Sequence, residues 1–498
     1  MAASQLLSID DQLVTPDNPP RTDLDGMDQS RCAALHNYLV DLCLAADADG
    51  QIDAAAAGQG RGATYFSTHG DAAEAVRSRL HPSLAAFLAA ARHPDAPLFY
   101  FVDCMPLPND DEFTGLFDNG TADNEDEPED SIVRLYLSHM DACDGKGGGG
   151  MLYHQRRHLA CFFVHPDDTE LAFPVDEHPQ SWHPLETILS NWIDLIRLGK
   201  VTISPTDQPA LYGGVKIGNW EWRPYGDGQI AGCVAAWHRL CDAIEVRRRQ
   251  IHGATIDPDD SPSPHEPLLT PAAMDAAQIP NPSFARAFLS LARRPQHIRQ
   301  IAPGLSLPPA DTEAFAAAQP FTHLPRRVPQ WDGRTVREGI VPPVYLFFSE
   351  AGAPPVDISG WRSAFRGHWT DGHGAVPEGI AFPSRVPPGV YSECVVRSEP
   401  EATEEGFRLL LPFSLYGAHL SSGKEIQDQA ADELFQHGFK PFGGDPHRPQ
   451  RLEQLLGHWA GLVERGVWAV GPRGVMGSVE VFEDAKVDWG SYAIPSSW

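Results

Sequence analysis

No stretch of this sequence approaches the ~20 consecutive apolar residues of a membrane-spanning helix. The longest apolar runs, Leu159–Val164 and Val344–Phe348, are strand-sized. The first residues, Met1 to Asp11, bring no basic cluster ahead of an apolar core, so no secretory leader is expected and a cytoplasmic protein is. Cysteine is sparse and unpaired in pattern: the 8 cysteines contain no C-x-x-C, which speaks against a zinc ribbon or a thioredoxin motif and for reduced thiols. Lysine is scarce, and 67 acidic against 38 basic side chains leave a formal charge of -29. That field repels polyanions over a screening distance of about 8 Å.

Catalytic signatures are missing as well. There is no G-x-S-x-G elbow and no kinase signature. Gly417-Ala-His-Leu-Ser-Ser-Gly423-Lys424-Glu425 has one residue too many for a phosphate loop and puts Glu425 where magnesium would want a hydroxyl. His368-Trp-Thr-Asp371-Gly372 falls one residue short of an acyltransferase His-x-x-x-Asp-Gly and reads as a turn.

What is present is an ordinary folding composition, 42% hydrophobic and 21% charged. A chain of 498 residues exceeds the roughly 250–300 residues at which single cores stop growing, so two lobes are expected. Composition divides the chain into a loose tail (1–27), an N-terminal lobe (28–255) with an acidic loop (110–130), a Pro-rich linker (256–282) and a C-terminal lobe (283–498). Helical periodicity marks Arg31–Ala46, Ser83–Arg92, Pro184–Leu198, Gln229–Arg248, Phe284–Leu291, Asp428–Gln436 and Pro449–Arg465. Strands are expected at Leu98–Val102, Val133–His139, Leu159–Val164, Val344–Phe348, Val390–Val396 and Phe407–Phe413, with a closing hairpin from Val467–Val470 and Val475–Phe482. Strands mixed with helices predict an α/β or α+β fold with mixed sheets and packed helices.

Three groups of residues carry potential chemistry. His154-Gln-Arg-Arg-His158 sets two imidazoles four apart. On a helix they could share a metal, but Leu152–Val164 alternates like a strand, which would hold them about 13 Å apart, so no metal site is expected. Asp110-Asp111-Glu112 and Asp167-Asp168-Thr169-Glu170 each follow an expected strand, where carboxylates could bind a guanidinium or act as a base, or merely form turns. Arginines gather at Arg156-Arg157, Arg293-Arg294 and Arg326-Arg327, patches that could contact phosphates despite the negative total.

The segments Leu152–His158, His183–Lys200, Ile301–Gly304, Glu405–Pro412, Gln436–Asp445 and Ile494–Trp498 resemble a fungal-restricted set of chains that contains the arginine-containing cyclodipeptide synthases. That resemblance implies condensation of an arginyl residue and a second aminoacyl residue, both delivered on tRNA, into a diketopiperazine in secondary metabolism. It needs no cofactor, because the esters are already activated. It would make Asp110, Asp111, Glu112, His154 and His158 catalytic, Asp167, Asp168 and Glu170 substrate-binding, and Arg156, Arg157, Arg293, Arg294, Arg326 and Arg327 contacts to arginyl-tRNA and the second aminoacyl-tRNA. The family's Asp-Asp-x-x-Glu has no copy here. The competing expectations are a non-catalytic scaffold and a metal-dependent hydrolase using the histidines.

Overall fold

The computed structural model describes residues 8–46, 62–93, 102, 104–109, 113, 131–137, 150–163, 175–177, 179–204, 206, 208–217, 220–252, 266–329, 334, 336–359, 365, 369–370, 375–395, 404–419, 425–426 and 451–494. The acidic clusters at 110–112 and 167–170, the helix expected at Asp428–Gln436 and most of the strand expected at Leu98–Val102 lie outside these residues.

The N-terminal core is built by α1 (Gln29–Ala46), α2 (Pro82–Ala90), the strands β1 (Ile132–Tyr136), β2 (Gly150–His154) and β3 (Leu159–Phe163), and α3 (Leu185–Arg197). β1, β2 and β3 form an antiparallel sheet in that order, with Val133 opposite Tyr153 and Leu152 opposite Cys161. The period of two sends Val133, Tyr153 and Phe162 into one core with Leu35, Phe87 and Trp192, while Ile132, Leu152 and Cys161 meet Trp182 on the other face. Both faces are covered, so every residue of β1 and β2 is buried and their sequence is apolar almost throughout. A second small sheet, β4 (Val201–Ile203), β5 (Val215–Ile217) and β6 (Trp220–Trp222), runs in the order β4-β6-β5 and completes this half.

Residues 8–27, read from composition as a loose tail, pack onto α1. Ile9, Leu13 and Met27 are buried, and the buried Arg31 guanidinium donates to the carbonyl oxygens of Gln12 (2.7 Å), Leu13 (2.7 Å), Asn18 (2.9 Å) and Pro19 (3.0 Å). A buried cation donating to four backbone carbonyls holds the loop through groups that composition does not register.

The second core begins earlier than the Pro-rich stretch. The 26-residue α4 (Asp227–His252) inserts Trp237, Leu240 and Ile244 among α5 (Phe284–Leu291), α6 (Leu452–Glu464) and a seven-stranded sheet. Trp237 stacks on Phe347 with ring centroids 5.4 Å apart. That sheet contains β7 (Gln300–Ala302), β8 (Leu305–Ser306), β9 (Tyr345–Ser349), β10 (Gly389–Val395), β11 (Glu404–Leu410), β12 (Val470–Gly471) and β13 (Gly474–Val475) in the order β11-β10-β9-β8-β7-β13-β12. Only the β13–β7 pair is parallel, so the sheet is mixed and the expected α/β or α+β class is what is found. The strand expected at Val475–Phe482 stops early; Val479–Lys486 is a 3-10 helix, burying Val479, Phe482 and Ala485 at its period of three.

The two cores meet without a spacer. A side-chain carbon at Gly226 would stand 1.9 Å from the Leu198 carbonyl oxygen, so the end of α3 abuts the start of α4. Nearby, the Tyr212 hydroxyl donates to the Glu405 carboxylate on β11, and the Glu405 backbone N–H donates to the Pro224 carbonyl (3.1 Å). Among the described residues no helix is long and apolar enough to cross a membrane.

Candidate metal centre

Three segments far apart in sequence converge at the edge of the N-terminal core. β2 and β3 pair so that His154 faces Leu159, which makes residues 155–158 a tight hairpin turn. The strand reading of Leu152–Val164 therefore holds over 152–154 and 159–163 and fails between them. The chain reverses, the His158 N–H donates to the His154 carbonyl (2.8 Å), and the two imidazoles do not sit along one strand. His158 closes the turn at φ 57, a left-handed conformation uncommon for any residue but glycine and costing on the order of 1 kcal/mol.

His81 precedes Pro82 and caps α2, its Nδ1 accepting from the Ser83 N–H (3.3 Å) and lying 2.8 Å from Ser83 Oγ. Its backbone N–H donates to Gln155 Oε1 (2.7 Å), tying the helix start to the hairpin turn. The ring centroids of His81 and His158 are 4.6 Å apart. Asp25 arrives on the packed N-terminal loop, whose next residue, Gly26, has φ 121 and no room for a side chain: a carbon there would lie 2.3 Å from Ser83 Oγ and 2.9 Å from His81 Cε1. Met27 N–H then donates to Ser83 Oγ (3.2 Å), locking the loop over the helix start. The result is that one potential ligand atom from each of Asp25, His81 and His158 falls within 4.8 Å of the others.

A buried phenol supports the His158 ring and a serine the His81 ring. Tyr153 Oη lies 3.2 Å from His158 Nδ1, and Ser83 Oγ lies 2.8 Å from His81 Nδ1. With both Nδ1 atoms engaged by protein hydroxyls, the Nε2 atoms are left for a ligand. A ring that ligates through Nε2 carries its proton on Nδ1: His158 would donate it to Tyr153 Oη, and His81 would exchange its acceptance from the Ser83 N–H for donation to Ser83 Oγ. Burial, reinforced by the neighbouring His81 ring and opposed by Asp25, holds the His158 imidazole below its ordinary pKa. A ring that stays neutral is a ring that can ligate. Burial also raises the Tyr153 phenol, so it remains a hydrogen-bonding alcohol at neutral pH.

Nothing in the comparisons with protein-family models, curated proteins or solved structures matches this chain.

The residues expected from sequence fare unevenly. His158 belongs to the cluster. His154 is buried, and its Nδ1 accepts from the Arg156 N–H (3.3 Å), a turn-fixing role. Asp110, Asp111, Glu112, Asp167, Asp168 and Glu170 lie outside the described residues. Among the arginines, Arg157 pairs with Asp176 (2.6 Å), Arg327 with Glu338 (2.7 Å) and Arg293 with Asp242 (3.9 Å). Arg294 donates to the Leu268 and Pro308 carbonyls, and Arg326 to that of Ile340. Only Arg156 among these is exposed with no side-chain partner in the described residues. Sequence reading missed Asp25, His81, Ser83 and Tyr153. The one local signal was His81-Pro82-Ser83, which reads as a helix start and nothing more.

Proposed function

We propose that the chain is a metal-dependent hydrolase centred on Asp25, His81 and His158. The observation that carries this reading is the convergence of two imidazoles and one carboxylate within 4.8 Å, on elements fixed by the Gly26 close approach and by the Ser83 and Tyr153 hydroxyls. Nitrogen and oxygen donors in this ratio suit zinc or another divalent transition ion in preference to magnesium or calcium, which favour all-oxygen sets. Three protein ligands leave positions for water and substrate, and a bound divalent ion supplies an acidified water as nucleophile. The protein's own part is to keep His158 neutral, to aim both rings through Ser83 and Tyr153, and to hold Asp25 against them. The test is elemental analysis of purified full-length protein with titration of zinc, manganese and iron(II). Stoichiometric binding that Asp25→Asn and His81→Ala each abolish is expected, together with chelator-sensitive hydrolysis in an ester screen. A protein that takes up no transition metal refutes the reading.

The second reading, synthesis of an arginine-containing cyclodipeptide from aminoacyl-tRNAs, is favoured by a separate observation, the sequence segments that resemble that family. In it a neutral His158 beside Asp25 would take the proton of the attacking amine. Expression in a heterologous host followed by mass spectrometry tests it. Soluble protein with no arginine-containing diketopiperazine in the extract counts against it.

A further inference from the structure

Resting on the metal-centre reading, we infer that the substrate class is a phosphate ester, with Arg156 as the side chain that receives the phosphate. Arg156 sits on the hairpin turn two residues before His158, is exposed, and makes no side-chain ion pair or hydrogen bond among the described residues. Its position is not loose, because its backbone N–H is donated to the buried His154 Nδ1 (3.3 Å). It contrasts with its neighbour Arg157, which Asp176 neutralises through a two-pronged contact of 2.6 and 3.0 Å. In a chain of net charge -29, a guanidinium on the turn that carries His158, with no ion-pair partner among the described residues, is a local reversal of sign.

The charge arithmetic points the same way. A divalent ion held by one carboxylate and two neutral rings keeps a net positive charge, and α2 begins at this place, adding the positive end of a helix of 9 residues. Together they form an anion site whose planar fork matches a phosphoryl group. Hydrolysis there is balanced with water alone. The water oxygen forms a new bond to phosphorus as the ester P–O bond breaks; the water gives up a proton and the leaving alkoxide takes one up.

The test uses full-length protein loaded with one equivalent of zinc, inorganic phosphate as the calorimetric probe, and p-nitrophenyl phosphate against p-nitrophenyl acetate as substrates. Expected are phosphate binding that requires the metal, a loss of about ten- to hundredfold in Arg156→Gln, partial recovery in Arg156→Lys, and preference for the phosphate ester. Arg156→Gln should leave zinc affinity and the circular dichroism spectrum unchanged, which separates a substrate contact from a folding defect. Zinc bound normally with phosphate binding absent, or equal in Arg156→Gln, overturns the inference while leaving the centre standing. No zinc bound at all overturns the metal-centre reading and this inference with it.

Discussion

His158→Asn isolates the imidazole from everything else the residue does. Asparagine adopts the left-handed backbone at φ 57 at least as readily as histidine, so the turn keeps its shape. What is lost without metal is one hydrogen bond of 3.2 Å to Tyr153, worth about 1 kcal/mol. What is lost with metal is a ligand. Wild-type protein at a zinc concentration 100 times Kd gains about 2.7 kcal/mol by mass action. For a unit the size of the N-terminal half, that is about 5–10 °C in Tm. Differential scanning calorimetry with and without zinc should therefore show this shift in the wild type and almost none in His158→Asn, with the metal-free curves nearly superimposed. An equal zinc-induced shift in the variant removes His158 from the centre. A fall of more than about 3 kcal/mol in the metal-free variant, far beyond one hydrogen bond, would make the residue a structural one.

Gly26→Ala forces a side-chain carbon into Ser83 Oγ at a positive φ and should lower zinc affinity together with stability; Ser83→Gly in that background should recover part of the stability, and no loss at all would contradict the packing described. Tyr153→Phe removes the hydroxyl beside His158 Nδ1, so zinc affinity by isothermal titration should fall about ten- to hundredfold with the fold retained, and unchanged affinity would deny Tyr153 its supporting role. Acid should loosen the N-terminal core through His36, which lies fully buried between Tyr136 and the Arg92 carbonyl with its pKa pushed down to about 4 by burial. The unfolded ring titrates near 6.5, so this contribution is whole above that pH and lost as pH falls toward 4, roughly 3 kcal/mol in all. Urea unfolding across that window should be less pH-dependent in His36→Gln, which keeps a donor and an acceptor but does not titrate; identical slopes would rule His36 out as the source.

Elements whose burial follows their own periodicity were legible from sequence. Phe284–Leu291 was expected and found over the same residues, and the apolar stripe of Leu185–Arg197 marked it equally well. The assignment of Gln229–Arg248 to the N-terminal lobe failed for a different reason: a stripe shows that a helix buries one face, not which core receives it. The candidate centre was illegible because its potential ligands come from positions 25, 81 and 158, joined by a loop held through carbonyl groups, a helix cap and a turn hidden inside an apparently continuous strand. None of these leaves a fixed spacing. His158 was singled out for its distance from His154, whereas its actual ring neighbour is His81, a residue 77 positions earlier that sequence reading passed over.

The hand-over at Pro224–Gly226 has a practical edge for anyone who wants the two halves apart. Severing the polypeptide after His252, where proline, aspartate and serine crowd the sequence, would leave Trp237, Leu240 and Ile244 on the fragment that has no use for them and take from the other the wall against Phe347, Leu455 and Trp459. Two sticky, incomplete pieces should result. A cut two dozen residues earlier, ahead of Gly226, gives each piece its own apolar interior, and the fragments should then find each other through Tyr212 and Glu405 when mixed.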